Sequence, residues 1–490
     1  MTSLTVTRAR QRLLPDARRV LAKPYLPGDE LIAPGKSRAA QLMERVLNIP
    51  EEQLSSLLAG VLTEFASRHR AFETVLEDHF ELVAHNLPEG ADISAARRQL
   101  IGAYFTHEYA VEGAALFNPS IVIAPDQANL ADGDQRVVVS LRAVGEGHIS
   151  SIEFRTGVIE ASGELRFDST SPYLVAGQRT PPTSYIKYRF GEKLNELGAG
   201  NALSTTVLAR LPESFTLQEL EASLVQLEAD GLPPAIWFET VQIIRVLAAS
   251  NYVTHFGAET GLAERVLFPA GPNETRGMED ARFVRFVRDD GTVKYYATYT
   301  AYDGFSILPQ LIETDDFVTF SISTLNGAAA QNKGMALFPR TINGQYVMLS
   351  RKDRENLFIA TSADVHFWND AVELYKPTMP WELLQIGNCG SPLETPAGWL
   401  VLTHGVGPMR RYTLGALLLD LNDPTRVIGQ LTQPLLEPDA SEREGYVPNV
   451  LYTCGAIIHG DHVILPYGFS DAGIGVARLS LRELLATLTG

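Results

Sequence analysis

A short motif of charged residues, Glu279-Asp280-Ala281-Arg282, is the strongest candidate for chemistry in this sequence. It opens the stretch 277–304, in which an Asp290-Gly291 turn separates two runs of apolar and aromatic residues, a pattern that predicts a β-hairpin with a two-residue loop. Neighbouring residues on a strand point to opposite faces, so Glu279 and Asp280 are expected to face in different directions. One carboxylate can then face a pocket while the other holds the backbone. A solvated strand entrance paired with arginines also fits the motif.

Polar side chains of similar types recur in five successive strand-rich segments of the chain. Carboxylates and amides form paired hydrogen bonds with sugar hydroxyls, and tyrosines pack against sugar rings, so this set predicts a site for a polyhydroxylated ligand. By segment, the residues are Asn118, Ser120, Arg142, His148, Ser150 and Arg155; Glu279, Asp280, Arg282, Tyr302 and Asp303; Asn332, Lys333, Arg351, Lys352 and Asp353; Gln385, Asn388, Glu394, His404, Arg410, Arg411 and Tyr412; and Glu444, Tyr446, Asn449, Tyr467 and Asp471.

Turn dipeptides divide the strand-rich part of the chain at regular intervals. Asp290-Gly291, Asn343-Gly344, Ala397-Gly398 and Gly460-Asp461 follow one another at intervals of 53 to 63 residues, and Asp132-Gly133 precedes them. Five units of three or four strands predict a mainly β fold, a five-bladed β-propeller in which each small sheet packs between two neighbours. A β-sandwich is the alternative, and it would show less regular spacing.

Two helical regions accompany the strands. Apolar residues at three- and four-residue spacing predict three or four helices over 36–115, after an extended arm of residues 1–34. The same periodicity predicts a helical insertion at about 190–262. The expected domains are therefore 1–115, the arm and helical region, and 116–490, a catalytic propeller that contains the insertion. The helical region offers a surface for a homo-oligomer.

Composition limits the partners. The chain has 490 residues, a net charge of −17 and a pI of about 5.1, which excludes nucleic acid and anionic membrane surfaces as partners. Neutral sugars fit this charge, whereas a small anion requires a local basic cluster. Cys389 and Cys454 form no disulfide framework, and no signal-peptide core or long apolar run is present, which predicts a cytoplasmic protein. No zinc-type spacing of His and Cys occurs, so no metal is expected.

Several of these motifs are similar to those of glycoside hydrolase family 130. That family contains β-mannoside phosphorylases and some β-mannosidases on a five-bladed propeller. The resemblance covers about 115–480 and includes GMEDARF (277–283), KGMALFPRTINGQYVMLSR (333–351), GWLVLTHGV (398–406) and GYVPNVLYTCGAIIHGDHVILPYGFSDAGIGVA (445–477). The helical region and the insertion are not part of the short family members.

The resemblance implies roles for individual residues. Asp280 would be the single catalytic acid, which protonates the leaving glycosidic oxygen directly or through a sugar hydroxyl. Phosphate, as co-substrate and without any cofactor, would attack the anomeric carbon from the opposite face with inversion and give mannose 1-phosphate. Its cationic site would be Lys333, Arg351, His404 and Tyr412. Asn118, Ser120, Arg142, Arg155 and Asp471 match sugar-binding positions, and Glu279, Tyr302, Asp303 and Gln385 are the further substrate-binding candidates.

Gln385 is the one departure from the family pattern, since phosphorylases of the family usually carry Lys at this position. A neutral amide donates hydrogen bonds but adds no charge, so one phosphate contact is weakened. The remaining basic residues favour an inverting β-mannoside phosphorylase. An inverting β-mannosidase, with Glu394 or Glu444 activating water, is the alternative. A carbohydrate-binding propeller without catalysis is the third possibility.

Overall fold

Strands make up most of the regular structure in the computed structural model, which describes residues 4–27, 31–33, 36–88, 90–229 and 234–490. The mainly β fold expected from the sequence is therefore confirmed. Residues 1–3, 28–30 and 34 of the expected arm lie outside the described residues. Within the described part of the chain, no helix is long and apolar enough to cross a membrane, and no group of three or more His, Cys, Asp or Glu side chains is placed to hold a metal ion.

Helices build most of the smaller of two compact units, which comprises residues 16–113 and 171–176. The helices predicted over 36–115 are present as α1 (Arg38–Leu47), α2 (Glu51–Phe65), α3 (Phe72–Val83) and α4 (Ala95–Tyr104). Ser37 and Ser94 cap α1 and α4 by accepting hydrogen bonds from backbone N–H groups. The first strands of the chain are β1 (Val6–Arg8), β2 (Val20–Pro24), β3 (Leu31–Ala33), β4 (Lys36–Ser37) and β5 (Thr106–Ala110), of which β2 and β5 pair antiparallel.

The larger unit comprises residues 1–15, 114–170 and 177–490 and contains five successive sets of antiparallel strands. The first two sets belong to one 12-stranded sheet, because Gly277 pairs in parallel with Ser150. Set one is β6 (Ala115–Ile123), β7 (Gln135–Val144), β8 (Ser150–Ile159) and β9 (Leu165–Phe167). After β10 (Val175–Ala176), which belongs to the smaller unit, the next strands are β11 (Gln178–Thr180), β12 (Tyr185–Ile186), β13 (Ser214–Phe215), β14 (Tyr252–His255) and β15 (Arg265–Leu267). Set two is β16 (Gly277–Val287), β17 (Val293–Tyr302), β18 (Ile307–Thr314) and β19 (Thr319–Thr324), extended by β14 and β11.

The last three sets have the same consecutive order. Set three is β20 (Ala336–Leu337), β21 (Tyr346–Ser350), β22 (Leu357–Ser362) and β23 (Ala371–Tyr375). Set four is β24 (Gln385–Asn388), β25 (Leu393–Thr395), β26 (Gly398–Val406), β27 (Tyr412–Leu419) and β28 (Val427–Gln430). Set five is β29 (Leu451–Tyr452), β30 (Ile457–His459), β31 (His462–Phe469) and β32 (Gly473–Ser480), and β1 adds to its edge by pairing with β32.

The predicted helical insertion is present within the larger unit. The two segments with helical periodicity form α7 (Leu217–Ala229) and α8 (Pro234–Ala249). Two helices that the sequence analysis did not identify, α5 (Lys187–Glu196) and α6 (Ala202–Ala209), precede them. Strongly polar composition hides α5 from a search for apolar periodicity. The last helix, α9 (Leu481–Thr489), follows set five.

The predicted turn dipeptides all lie in the first hairpin of a set. The turns at Asn343-Gly344 and Asp290-Gly291 have different loop lengths. Asn343 and Gly344 form a two-residue loop in which both residues have positive φ, and Ile342 and Gln345 exchange backbone hydrogen bonds across it. The expected two-residue loop at Asp290-Gly291 is instead three residues long, 289–291, with only Gly291 at positive φ. The positions predicted for the turns are therefore confirmed, and the loop length predicted at Asp290-Gly291 is wrong by one residue.

Successive sets pack their apolar faces against each other. The aromatic pairs that span neighbouring sets are Phe154–Phe283, Phe286–Tyr346 and Phe338–Trp399, with ring centroids 5.8, 5.3 and 5.0 Å apart. Leucines of sets four and five share one buried cluster. Set five in turn contacts set one, because the backbone N–H of Cys454 donates to the Pro119 carbonyl at 2.8 Å. Each set therefore contacts the set before it and the set after it in this order.

Candidate active site

A β-bulge at the start of β16 gives Glu279 and Asp280 their arrangement. The register between β16 and β17 shifts between Glu279 and Arg282, and Asp280 has a φ of 57°. Both carboxylates reach the same guanidinium: Arg142 donates to Glu279 Oε1 at 2.7 Å and to Asp280 Oδ1 at 3.1 Å. The expectation that these neighbours face opposite directions is therefore wrong, because the extra residue of the bulge breaks the alternation of the strand.

A second bulge, at the start of β6, presents Asn118 to the same carboxylate. Asn118 has a φ of 49°, and the register of β6 shifts between Phe117 and Ser120. Its amide Nδ2 donates to Asp280 Oδ1 at 2.6 Å. Asp and Asn are the residues other than glycine that adopt the left-handed region most readily, and strained backbone of this kind concentrates at functional sites.

The charges around Asp280 control its protonation. Burial raises the pKa of Asp280, but the positive charges of Arg142, Arg282 and Lys333 and the hydrogen bond from Asn118 outweigh that effect and lower the pKa to about 2. The side chain is only 15% exposed. Asp280 is therefore ionised at neutral pH when no substrate is bound.

Asp471 lies beside this group and has the opposite shift. Burial raises the pKa of Asp471 to about 6; the charges of Asp280 and Glu279 add to the rise, while Arg142 and Arg410 oppose it. Like Asp280, it stands in the left-handed region, with a φ of 49°. The site thus holds two carboxyl groups whose pKa values are shifted in opposite directions.

A cavity of about 590 Å³ opens beside Glu279, the neighbour of Asp280 in the chain. Its lining residues are His148, Thr275, Arg276, Glu279, Tyr302, Asp303, Gly304 and Phe305. Asp303 holds its loop by accepting hydrogen bonds from the N–H groups of Phe305 and Ser306, and the Phe305 ring is fully exposed. The volume is typical of small-ligand sites. Three predicted substrate residues, Glu279, Tyr302 and Asp303, therefore share one cavity.

Arg276 and Phe305 are cavity residues that the sequence analysis did not identify. Arg276 lies three residues before Glu279, the first residue of the Glu-Asp-x-Arg motif. Phe305 stands in a Gly-Phe-Ser turn that a core aromatic residue would not occupy. Both positions are signals that could have been used. His148, which the sequence placed among the candidate polar residues, stacks on Tyr446 at 5.6 Å.

Lys333, which precedes the first strand of set three, contacts the carboxylate of Glu279. Its Nζ donates to Glu279 Oε2 at 2.5 Å and lies 5.7 Å from the centre of the Tyr302 ring. Lys333 also contributes to the low pKa of Asp280. Asp280, the predicted acid, and Lys333, a predicted phosphate ligand, are therefore coupled electrostatically.

His404 is neutral rather than cationic. Burial, together with the nearby charges of Arg351 and Arg282, holds its pKa well below the ordinary value. The ring lies against Tyr452 at 4.8 Å and Tyr412 at 6.0 Å. Its Nε2 is 3.1 Å from Arg351 Nη1, and only the arginine can donate in that pair. His404 thus orients Arg351 and adds no positive charge.

Several buried polar atoms near Arg351 have no partner in the described part of the chain. They are Arg351 Nε, Arg282 Nε and both amide atoms of Asn388. Buried polar groups are normally hydrogen-bonded, so a group of unsatisfied ones requires an explanation. An oxyanion would satisfy donors of this kind, and charge-assisted bonds of arginine to phosphate are strong.

Two predicted sugar ligands lie apart from this site. Ser120 is fully buried, and its Oγ accepts the N–H of Phe283 at 3.1 Å, which is a structural role between sets one and two. Arg155 pairs with Glu153 at 3.0 Å. Because β7 pairs Arg142 with Ile152, the side chain of Arg155 is on the opposite face of β8 from the Arg142 side.

The remaining candidates are Gln385 and the two glutamates considered as bases for hydrolysis. Gln385 begins β24, where it pairs with Val406 and is partly exposed. Glu394, a candidate base for hydrolysis, forms an ion pair with Arg340 at 2.7 Å. Glu444, the other candidate base, is an exposed loop residue. Neither glutamate is among the residues that line the cavity.

Comparisons with known proteins point to one family. A family model described as beta-1,4-mannooligosaccharide phosphorylase matches residues 253–489. A 1,2-beta-oligomannan phosphorylase from Thermoanaerobacter sp. (strain X514) is 37% identical over 232 residues, which is 44% of this chain and 74% of that protein. A beta-1,2-mannobiose phosphorylase from Listeria innocua is 34% identical over 230 residues, covering 45% of this chain and 63% of that protein.

A solved structure of a beta-1,2-mannobiose phosphorylase from Listeria innocua in complex with beta-1,2-mannobiose is also similar. It is 25% identical to this chain, with 78% of this chain and 93% of that chain covered and a TM-score of 0.45.

Proposed function

Because the chain belongs to glycoside hydrolase family 130, we propose that it is an inverting β-mannoside phosphorylase that uses inorganic phosphate to release mannose 1-phosphate. The observation that carries the proposal is a buried carboxylate, Asp280, whose pKa is lowered by the charge of a nearby cation, Lys333, with unsatisfied buried donors at Arg351 close by. Two relatives named above act on β-1,2-linked mannosides by name, so we propose this linkage as the first to test.

We also propose that the five sets of strands form a five-bladed propeller. The packing of each set against the next, and the hydrogen bond from Cys454 of set five back to Pro119 of set one, support a closed order of five sheets. Such a ring would bring the inner-strand loops that carry Asn118, Asp280 and Lys333 to one end of its axis.

In the proposed reaction, Asp280 protonates the leaving oxygen, directly or through a sugar hydroxyl, while a phosphate oxygen attacks the anomeric carbon from the other face. The bond from that carbon to the leaving oxygen breaks, and a bond to phosphate forms with inversion. The proton carried by hydrogen phosphate stays on the product monoester and can return to Asp280. A single carboxylate is sufficient, since phosphate needs no catalytic base.

Phosphate would bind between Lys333 and Arg351. To reach it, Lys333 must exchange Glu279 Oε2 for a phosphate oxygen. His404, backed by Tyr412, holds Arg351 in place from the opposite side. Binding of the anion compensates the positive charges that keep Asp280 ionised, so the pKa of Asp280 rises toward a value at which it can act as an acid.

The mannoside would occupy the cavity beside Asp280. Arg142 and Asn118 already contact that carboxylate and can turn toward sugar hydroxyls, while Tyr302 and Asp303 line the wall. The position of Asp471 next to Arg142 also supports a contact with the sugar. The substrate-binding set that we propose omits Ser120 and Arg155, because their side chains contact Phe283 and Glu153 instead.

The test is product analysis with and without phosphate. The purified protein is incubated with β-1,2- and β-1,4-mannobiose, and products are followed by ³¹P and ¹H NMR. We expect α-mannose 1-phosphate to form only when phosphate is present. Free mannose produced at the same rate without phosphate would instead establish the hydrolase. That outcome would conflict with the surroundings of Glu394, which pairs with Arg340, and of Glu444, which is an exposed loop residue.

A further inference from the structure

Asn388, the last residue of β24, has a buried amide that nothing in the described structure satisfies. The residue is 0% exposed, and neither Oδ1 nor Nδ2 has a hydrogen-bond partner among the described residues. Asn326 is a useful comparison, since it is equally buried but its Nδ2 donates to the carbonyls of Thr324 and His366. An unsatisfied buried amide destabilises the fold, so a position of this kind favours a ligand that completes its hydrogen bonds.

The surroundings of Asn388 are those of the proposed phosphate site. A Cβ placed on Gly334, next to Lys333, would lie 4.0 Å from Asn388 Oδ1 and 3.6 Å from Arg351 Cβ. A Cβ on the adjacent Gly387 would lie 3.3 Å from Arg351 Cδ and would contact the His404 ring. The Asn388 amide is thus set among the residues that carry Lys333, Arg351 and His404.

The unsatisfied N–H donors are complementary to an anion. Arg351 Nε and the Asn388 amide are both unpartnered although their residues are neighbours, so they do not satisfy each other. The oxygen and nitrogen ends of an amide are interchangeable by a half-turn of the side chain, which lets Nδ2 point to either side. A tetrahedral oxyanion can accept from both groups at once, because it presents several oxygens.

We propose that Asn388 is a phosphate-binding residue whose Nδ2 donates to an oxygen of the phosphate held by Lys333 and Arg351. The proposal rests on the proposed function and adds to it a neutral donor. That donor stands three residues after Gln385, the neutral residue where phosphorylases of the family usually carry lysine. Phosphate recognition in this chain therefore depends on an amide from β24 in addition to charge.

The experiment measures phosphate and mannoside binding separately. Inorganic phosphate is titrated calorimetrically into the wild type, Asn388→Ala, Asn388→Asp and Asn388→Ser, and initial rates with β-1,2-mannobiose give both KM values. A hydrogen bond to a charged group is worth about 1.5–3 kcal/mol, so Asn388→Ala should weaken phosphate binding about 10- to 100-fold. Asn388→Asp adds a negative charge in the same volume and should weaken it further. The KM for mannobiose should stay unchanged.

Asn326→Ala is the matched control, because it removes a buried amide with one unsatisfied atom outside the site. It should leave phosphate affinity unchanged. Asn388→Ser retains a small donor, so it separates loss of the contact from loss of the fold if the alanine variant is unstable. Phosphate binding by Asn388→Ala equal to that of the wild type, or a parallel rise of both KM values, would overturn the proposal.

The outcome is separable from that of the proposed function. If the wild type binds phosphate, and Asn388→Ala loses it, the site is established even when no mannose 1-phosphate is formed. If mannose 1-phosphate is formed and the variant is unaffected, the reaction stands and the role of Asn388 is refuted. A wild type that binds no phosphate refutes the role as well.

Discussion

Asp280→Asn is the substitution that tests the proposed chemistry most directly. The backbone at this position has a φ of 57°, a conformation that asparagine adopts readily, so the bulge should be retained. The new amide has the shape of the carboxyl group, and its oxygen can still accept from Asn118 and Arg142. The variant therefore removes the proton donor and one negative charge while leaving the surrounding contacts in place.

The expected loss depends on the leaving group. General acid catalysis contributes about 10²–10⁴-fold to a rate, so turnover of β-1,2-mannobiose should fall by about that factor. An aryl β-mannoside releases a phenolate that needs little protonation, so its turnover should fall much less. The structure adds a second expectation. Loss of the Asp280 charge leaves Lys333 with a single acidic partner, Glu279, and phosphate should bind at least as tightly as in the wild type.

The assay compares kcat for mannobiose and for 4-nitrophenyl β-mannoside at saturating phosphate. Asp290→Asn is the matched control, since the same substitution at the other end of the hairpin removes one negative charge from an exposed turn, where the amide oxygen can still accept from Thr292. Equal losses for both substrates would refute a role of Asp280 as proton donor. Unchanged turnover of mannobiose would refute any catalytic role.

Three further substitutions test the surroundings. Lys333→Met should raise the KM for phosphate about 10- to 100-fold, as expected for loss of a charged hydrogen bond, and leave mannobiose binding without phosphate unchanged. The pKa of Asp471 in the folded protein is raised from 3.8 to about 6, so the folded state favours the protonated carboxyl. The contribution of Asp471 to the free energy of unfolding is therefore fully present below pH 4 and is lost as the pH rises through 6. Between pH 5 and pH 7.5 the wild type should therefore lose about 1.4 kcal/mol of unfolding free energy relative to Asp471→Asn, measured by thermal unfolding at both pH values. Arg8→Ala leaves the wholly buried Glu442 carboxylate without its closest cation and should cost about 3–5 kcal/mol in thermal unfolding, whereas Arg18→Ala, in an exposed pair, should cost little.

Local pattern was sufficient for the elements of this fold. The turn at Asn343-Gly344 and helices α3 and α8 are properties of short stretches of sequence, in which apolar spacing and turn chemistry decide the outcome. The mainly β fold followed from the same information. Whether the five sets close into a propeller, and whether the helical unit mediates an oligomer, depend on contacts between distant residues and stay predictions.

The sequence predicted which types of residue form the site, but it did not predict the directions in which their side chains point. Arg142 and Arg155 are both strand arginines, and only the pairing of β7 with β8 shows that they occupy opposite faces. The direction of Asp280 depends on a bulge that a two-residue periodicity cannot reveal. The neutrality of His404 arises from burial beside Arg351, which is 53 residues away in the chain. Each difference comes from a tertiary contact.

The charge balance at Asp280 offers a physical reason for phosphorolysis over hydrolysis. The cations that would bind phosphate are in part those that hold Asp280 ionised, since Lys333 acts on both. Without an anion, the acid lacks its proton, and water that reached the anomeric carbon would find no protonated donor for the leaving oxygen. Entry of phosphate supplies the nucleophile and, by compensating Lys333, also restores the acid. We infer that activation of the acid and arrival of the nucleophile are one event in this site, which makes breakdown of the mannoside by water slow even where water has access.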